Sequence, residues 1–118
     1  MLTITTSTTE FKHKGLARTQ LQQLLDYIQT HLDRDLSLVE LAEVINSSPT
    51  YFASLFKQAM EISPHQYVIQ QRVERAKTML SKTNLAIADI ALQVGFSSQS
   101  HLTQHFKRFT GKTPKQIR

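Results

Sequence analysis

A chain of 118 residues suits one compact domain or two very small ones. With 40% hydrophobic residues it can build a modest core, and without cysteine it has neither disulfides nor thiolate metal sites. No apolar run approaches the ~18 residues of a membrane span, and the N-terminus MLTITTSTTEFKHKG lacks the apolar centre of a signal peptide, so a soluble, intracellular protein is expected. The charge is uneven: residues 1–56 carry four basic and six acidic side chains, residues 57–118 ten and three. A basic C-terminal half in a chain of pI near 9.8 points to a polyanionic partner or to a solvated basic surface.

Residues 1–15 are Thr-rich and aperiodic, and read as a flexible tail or linker remnant. Beyond them the periodicity is helical. Leu21, Leu24, Leu25, Ile28 and Leu32 form one apolar stripe, which predicts a helix over 18–33. Ser37-Leu-Val-Glu40 has the form of a capping box and opens a helix over 38–45. Ser48-Pro49, Ser63-Pro64 and Thr113-Pro114 each pair an N-cap hydroxyl with proline at the first helical position, where the missing N–H costs nothing. They open helices over 49–60 and 64–82 and a stub from 114; two more helices are predicted over 86–94 and 98–110. The fold class is all-α, with seven helices.

An internal repeat sets the architecture. Leu41-Ala42 matches Ile90-Ala91 and Ile45-Asn46 matches Val94-Gly95 at an offset of 49. Phe52 then matches Leu102, Phe56-Lys57 matches Phe106-Lys107, and Ser63-Pro64 matches Thr113-Pro114 at an offset of 50. Each copy is a short helix, a turn and a second helix, the layout of a helix-turn-helix unit. The expected organisation is a first unit over 16–63, a connecting helix over 64–82 with the stripe Tyr67, Val68, Val73, Ala76, Met79 and Leu80, and a second unit over 83–118. The turns fall at Asn46 and Gly95, the two residue types that best tolerate positive φ.

The second helix of each unit must pack one face and can offer the other. The packing residues are expected to be Phe52, Leu55, Phe56 and Ala59 in the first unit, and Leu102, Phe106 and Phe109 in the second. At about 100° per residue, the opposite face of 98–110 carries Ser100 and Gln104, flanked by His101, Lys107 and Arg108. Gln can pair two-pronged with adenine, Ser can bond either base edge, and Lys or Arg can meet phosphate or guanine. The matching face of 49–60 carries the short side chains Thr50, Ala53 and Ser54, suited to van der Waals contact, so the second unit is expected to read sequence more strongly. Ser48, Lys57, Ser98, Lys107 and Arg108 are the expected phosphate contacts. The connecting helix would span about 28 Å, close to the roughly 34 Å between successive major grooves on one DNA face.

Other readings compete at several positions. His101 and His105 have the i,i+4 spacing of zinc-binding helices, but neither HExxH nor cysteine accompanies them; no metal or cofactor is expected, and His105 is read as leaning on the core. Arg72 and Arg75 flank Glu74, which makes an intradomain ion pair at least as good a reading as a DNA role. Phe96 is read as a core anchor. Ser97 and Ser98 lack the GxSxG context and preceding strand of a nucleophile, and Ser98 is better read as an N-cap. With no acid/base pair, an enzyme is not expected. The reading from another class is a helical protein-interaction module that contacts RNA polymerase or another regulator, with weak DNA binding.

The run SPHQYVIQQRVERAKTML, followed by IADIALQVGFSSQSHLTQHFKRFTGKTPKQIR, resembles the DNA-binding domain of AraC/XylS-type bacterial transcription regulators over about 37–118. The resemblance implies a two-lobed, seven-helix domain that bends double-stranded DNA or docks into its adjacent major grooves to control transcription, in the bacterial cytoplasm on nucleoid DNA. It places base-reading sites on Thr50, Ala53 and Ser54 and on Ser100, His101 and Gln104. Many members carry an N-terminal effector-binding and dimerisation domain and a minority are stand-alone; the tail suggests a fragment of a longer regulator. Three positions depart from the pattern: Asn46 stands for a turn glycine, Glu61 stands where Gly111 stands in the second unit, and Ala86 replaces the serine expected from Ser37, with Asn84 as its substitute cap.

Overall fold

A computed structural model describes residues 16–118, so the expected tail lies outside the described residues. These residues form seven helices and no strand: α1 Arg18–Thr30, α2 Leu38–Val44, α3 Pro49–Met60, α4 Pro64–Lys82, α5 Ile87–Gln93, α6 Gln99–Thr110 and α7 Pro114–Ile117. None is long and apolar enough to cross a membrane. The chain divides into two compact units: one runs up to Thr30 and resumes over Leu36–His65, the other comprises His31–Asp35 and Gln66–Arg118.

In the first unit the α1 stripe buries Leu24 and Ile28 fully, and α2 and α3 bury Leu41, Ala42, Phe52 and Phe56. The Phe52 and Phe56 rings lie 5.8 Å apart in a tilted pair, within the range favoured by the ring quadrupole. Ser37 and Ser48 cap α2 and α3, accepting from the N–H groups of Glu40 and Tyr51. The serine half of the expected capping box at Ser37 is therefore present, while the Glu40 carboxylate accepts the Tyr27 hydroxyl and ties α2 to α1. Ala59, expected in the core, is exposed: it sits in the last turn of α3, beyond Leu55 and Phe56.

The core of the second unit joins Ile69, Val73, Ala76 and Leu80 of α4 to Ile90, Ala91, Val94, Phe96, Leu102 and Phe106. Phe109 departs from expectation and is 43% exposed. Helix α5, seven residues long, is too short to cover the final turn of the twelve-residue α6. Ala86 stands at the N-cap of α5 with no side-chain bond to the helix, so Asn84 does not supply the missing cap. The full capping box is found elsewhere, at α7, where Thr113 and Gln116 each accept from the other's backbone N–H.

Two arginines tie helices to carbonyls, and the sequence reading missed both roles. Arg72, 8% exposed, donates from Nε to the Leu32 carbonyl at 3.0 Å and from Nη2 to that of Arg34 at 2.7 Å. Its acceptors are backbone carbonyls rather than Glu74, which is exposed. The chain turns at 31–34, where the Arg34 N–H bonds the His31 carbonyl, and α1 ends at Thr30 instead of 33. Burial pulls the Arg72 guanidinium below its ordinary value, opposed by the charges of Asp35 and Asp33; it stays protonated at any physiological pH. Arg118 repeats the device, donating to the carbonyl of Leu80 in the last turn of α4 and to those of Thr83 and Leu85 just beyond it.

Gly95 is pressed against the first of these clamps. Its φ is +102°, and a Cβ there would lie 2.1 Å from the Leu32 carbonyl oxygen and 2.6 Å from Arg72 Nε. Gly111 also has positive φ, +80°, but a Cβ there meets nothing within 4 Å. Gly95→Ala should therefore cost at least about 3 kcal/mol, strain and overlap together, whereas Gly111→Ala should cost about 1–2 kcal/mol from backbone strain alone. Urea denaturation of the two variants measures the difference; equal losses would refute the overlap at Gly95.

Candidate nucleic-acid interface

Both turns have the geometry that their sequences require. Asn46 has φ +54° and Gly95 +102°, each placing a left-handed residue between the two helices of its unit. At the far ends of α3 and α6, Glu61 at φ +68° and Gly111 at +80° accept the left-handed C-cap and donate to the carbonyls of Lys57 and Lys107. Asparagine and glutamate thus occupy conformations that glycine takes without steric cost.

On α6 the expected contact face is largely open. Ser100, Gln104, Lys107 and Arg108 are all exposed, and their spacing i, i+4, i+7, i+8 puts them on one stripe. His101 is half-buried. Its ring meets Phe96 edge-on at 5.1 Å and His105 at 4.9 Å, and its Nδ1 faces Ser97. His105 stacks on Phe96 at 5.7 Å, which places it beside a core residue as expected. Ser98 caps α6 by accepting from the His101 N–H at 3.1 Å, as Ser48 caps α3. A hydroxyl that accepts such a bond keeps its own proton free to donate.

On α3, Thr50, Ser54 and Lys57 are exposed, while Ala53 is half-buried. Ala53 lines a crevice of about 400 Å³ with Leu38, Leu41 and Pro64. The second unit has its counterpart, lined by Ile87, Thr103 and Pro114, so the repeat holds in the surface as well as in the core. By that correspondence Ala53 pairs with Thr103, and His101 pairs with Tyr51, which the sequence reading left out. Tyr51 is 57% exposed. The 50-residue offset that pairs Phe52 with Leu102 was the signal that could have found it.

The two units differ in charge. Among described residues the first carries two basic and four acidic side chains, and the second ten basic and four acidic, net −2 against +6.

Two units of this form, each with a left-handed turn and an exposed second helix, define a helix-turn-helix protein. A helix-turn-helix domain model matches residues 41–118. The chain is 36% identical over 104 residues, 88% of its length, to a probable transcriptional regulator, LumQ, of Photobacterium leiognathi, and covers 42% of that protein. It spans less than half the length of the first curated relatives it matches. Among solved structures, an AraC-type transcriptional regulator from Chromobacterium violaceum shares 27% identity at a TM-score of 0.80, covering 86% of this chain and 90% of that one. The DNA-binding domain of AdpA, a global transcriptional factor solved in complex with a target DNA, shares 27% identity at a TM-score of 0.78, covering 82% and 87%. The chain belongs to the AraC-type helix-turn-helix family of transcription regulators.

If Ser98 acts as a cap, Ser98→Ala should lower stability by about 1 kcal/mol and Ser98→Asp, which caps as well, by no more than a few tenths. Denaturant titration of both checks this; an equal loss in Ser98→Asp would deny the cap its part.

Proposed function

We propose that this chain binds double-stranded DNA sequence-specifically and regulates transcription, with α3 and α6 entering adjacent major grooves. The observation that carries the reading is the exposed stripe Ser100, Gln104, Lys107 and Arg108 on α6, in a unit of net charge +6. Such a stripe combines base-reading amide and hydroxyl groups with cations for phosphate. The first unit, net −2, gains little from the phosphate field. Its helix α3 reads by fit, through Thr50, Ser54 and the edge of Tyr51, with Ala53 in the crevice beside them. Ser48, Lys57 and Ser98 flank these faces as further phosphate contacts.

The AdpA domain in its DNA complex supports the reading by likeness of fold. A chain that spans less than half of its curated relatives leaves room for an N-terminal effector-binding and dimerisation domain. We assign RNA polymerase as a further partner and the bacterial cytoplasm, on nucleoid DNA, as the place of action.

Selection from a random duplex pool, followed by titration at several salt concentrations, tests the proposal. Log affinity should fall steeply with log salt, as phosphate contacts require; a flat response would favour a protein-interaction module instead. Gln104→Ala should cost roughly 1–3 kcal/mol on the selected site and relax one base position. Lys107→Ala should weaken all duplexes alike and make the salt slope shallower, and a loss confined to one base would contradict its phosphate role.

A further inference from the structure

The His101 ring is held on three sides. Phe96 meets it edge-on at 5.1 Å and 78°, and His105 at 4.9 Å and 62°. Ser97 faces Nδ1 with its backbone N–H at 3.5 Å and its hydroxyl oxygen at 3.2 Å. A backbone N–H can only donate, so in this contact, at the long end of hydrogen-bond distance, Nδ1 is the acceptor. A neutral imidazole that accepts at Nδ1 carries its proton on Nε2. The Ser97 hydroxyl, free to rotate, can donate toward the same lone pair.

We propose that Ser97 is a positioning residue that fixes His101 as an Nε2–H donor, so that α6 selects guanine at the base position His101 faces. This rests on the reading of α6 as a recognition helix. Guanine presents two adjacent acceptors, N7 and O6, in the major groove, whereas cytosine presents only an amino donor, adenine an amino donor beside N7, and thymine a single acceptor, O4, beside a bulky methyl group. The opposite tautomer would present an acceptor and choose the amino-bearing edges. Ser97 itself is exposed and outside the core, so substituting it leaves the packing of the unit intact.

The tautomer is tested first without DNA, on the ¹⁵N-labelled chain at a pH well above the ordinary imidazole value of about 6.5. The His101 ring should show a pyridine-type Nδ1 and a pyrrole-type Nε2; a protonated Nδ1 overturns the proposal. Duplex-pool selection with the wild type, His101→Ala, Ser97→Ala and Ser97→Thr then tests the base preference. One position should favour guanine over cytosine, and His101→Ala should abolish that preference while sparing the others. Ser97→Ala should reduce it by up to about fivefold, the factor of one neutral hydrogen bond, and Ser97→Thr should restore it. A uniform loss over all positions in Ser97→Ala would mark a merely structural serine and overturn the proposal, as would a preference for cytosine, adenine or thymine. If a sequence is selected but no position responds to His101→Ala, this inference alone falls. If no duplex is selected by any variant, the DNA-binding reading falls and takes this one with it.

Discussion

The Arg72 guanidinium is the interaction on which the second unit depends. Burying a cation carries a heavy solvation cost, and here two short bonds to the Leu32 and Arg34 carbonyls offset it, helped by the charges of Asp35 and Asp33. Those carbonyls belong to the segment that leaves α1 unwound after Thr30, so the arginine supplies the donors that the lost helical turn would have given. Gly95 lies directly on this arrangement, with no room for a Cβ. The turn of the second unit is therefore located by a clamp as well as by its own backbone preference. The next residue, Phe96, enters the core from that turn and also carries the rings of His101 and His105. A single buried charge thus helps to locate the turn that precedes α6.

The repeat shows how one motif tolerates different local solutions. Ser37 caps α2, while its counterpart Ala86 leaves α5 without a side-chain cap. Asn46 and Glu61 hold the left-handed positions that Gly95 and Gly111 hold in the other copy. Each substitution costs on the order of 1 kcal/mol by itself, less than the burial of residues such as Phe52, Phe56, Ile90 and Leu102 contributes. Packing consequently keeps the motif while its punctuation drifts. At Gly95 drift is blocked, because the obstacle there is backbone and a buried guanidinium rather than torsional preference.

The copies differ most in charge. The first unit is net negative and offers small side chains and one exposed tyrosine; the second is strongly basic and offers amide, hydroxyl and cationic groups along one stripe. Phosphate attraction is largely independent of sequence, and groove contacts are not. On the reading proposed above, the second unit supplies most of the non-specific affinity as well as the stronger base contacts, and the first adds discrimination by shape.

The helices, the repeat and the turns are legible in the residues alone, because these rest on local chemistry: apolar residues at helical spacing, Ser-Pro and Thr-Pro starts, and residues tolerant of positive φ. It also placed Ser100, Gln104, Lys107 and Arg108 on one open face, since helical geometry alone fixes which residues share a stripe. Only the tertiary structure decided what depends on distant partners. Arg72 looks like a surface cation beside Glu74 until the carbonyls of Leu32 and Arg34, 40 and 38 residues away, are brought to it. Phe109 and Ala59 fit their helical stripes, yet both remain exposed in the folded chain. The orientation of His101 likewise follows from Phe96, Ser97 and His105 closing around one ring, which spacing does not encode. Local preference writes the elements, and the length and position of their neighbours decide which side chains are buried, clamped or left to face a partner.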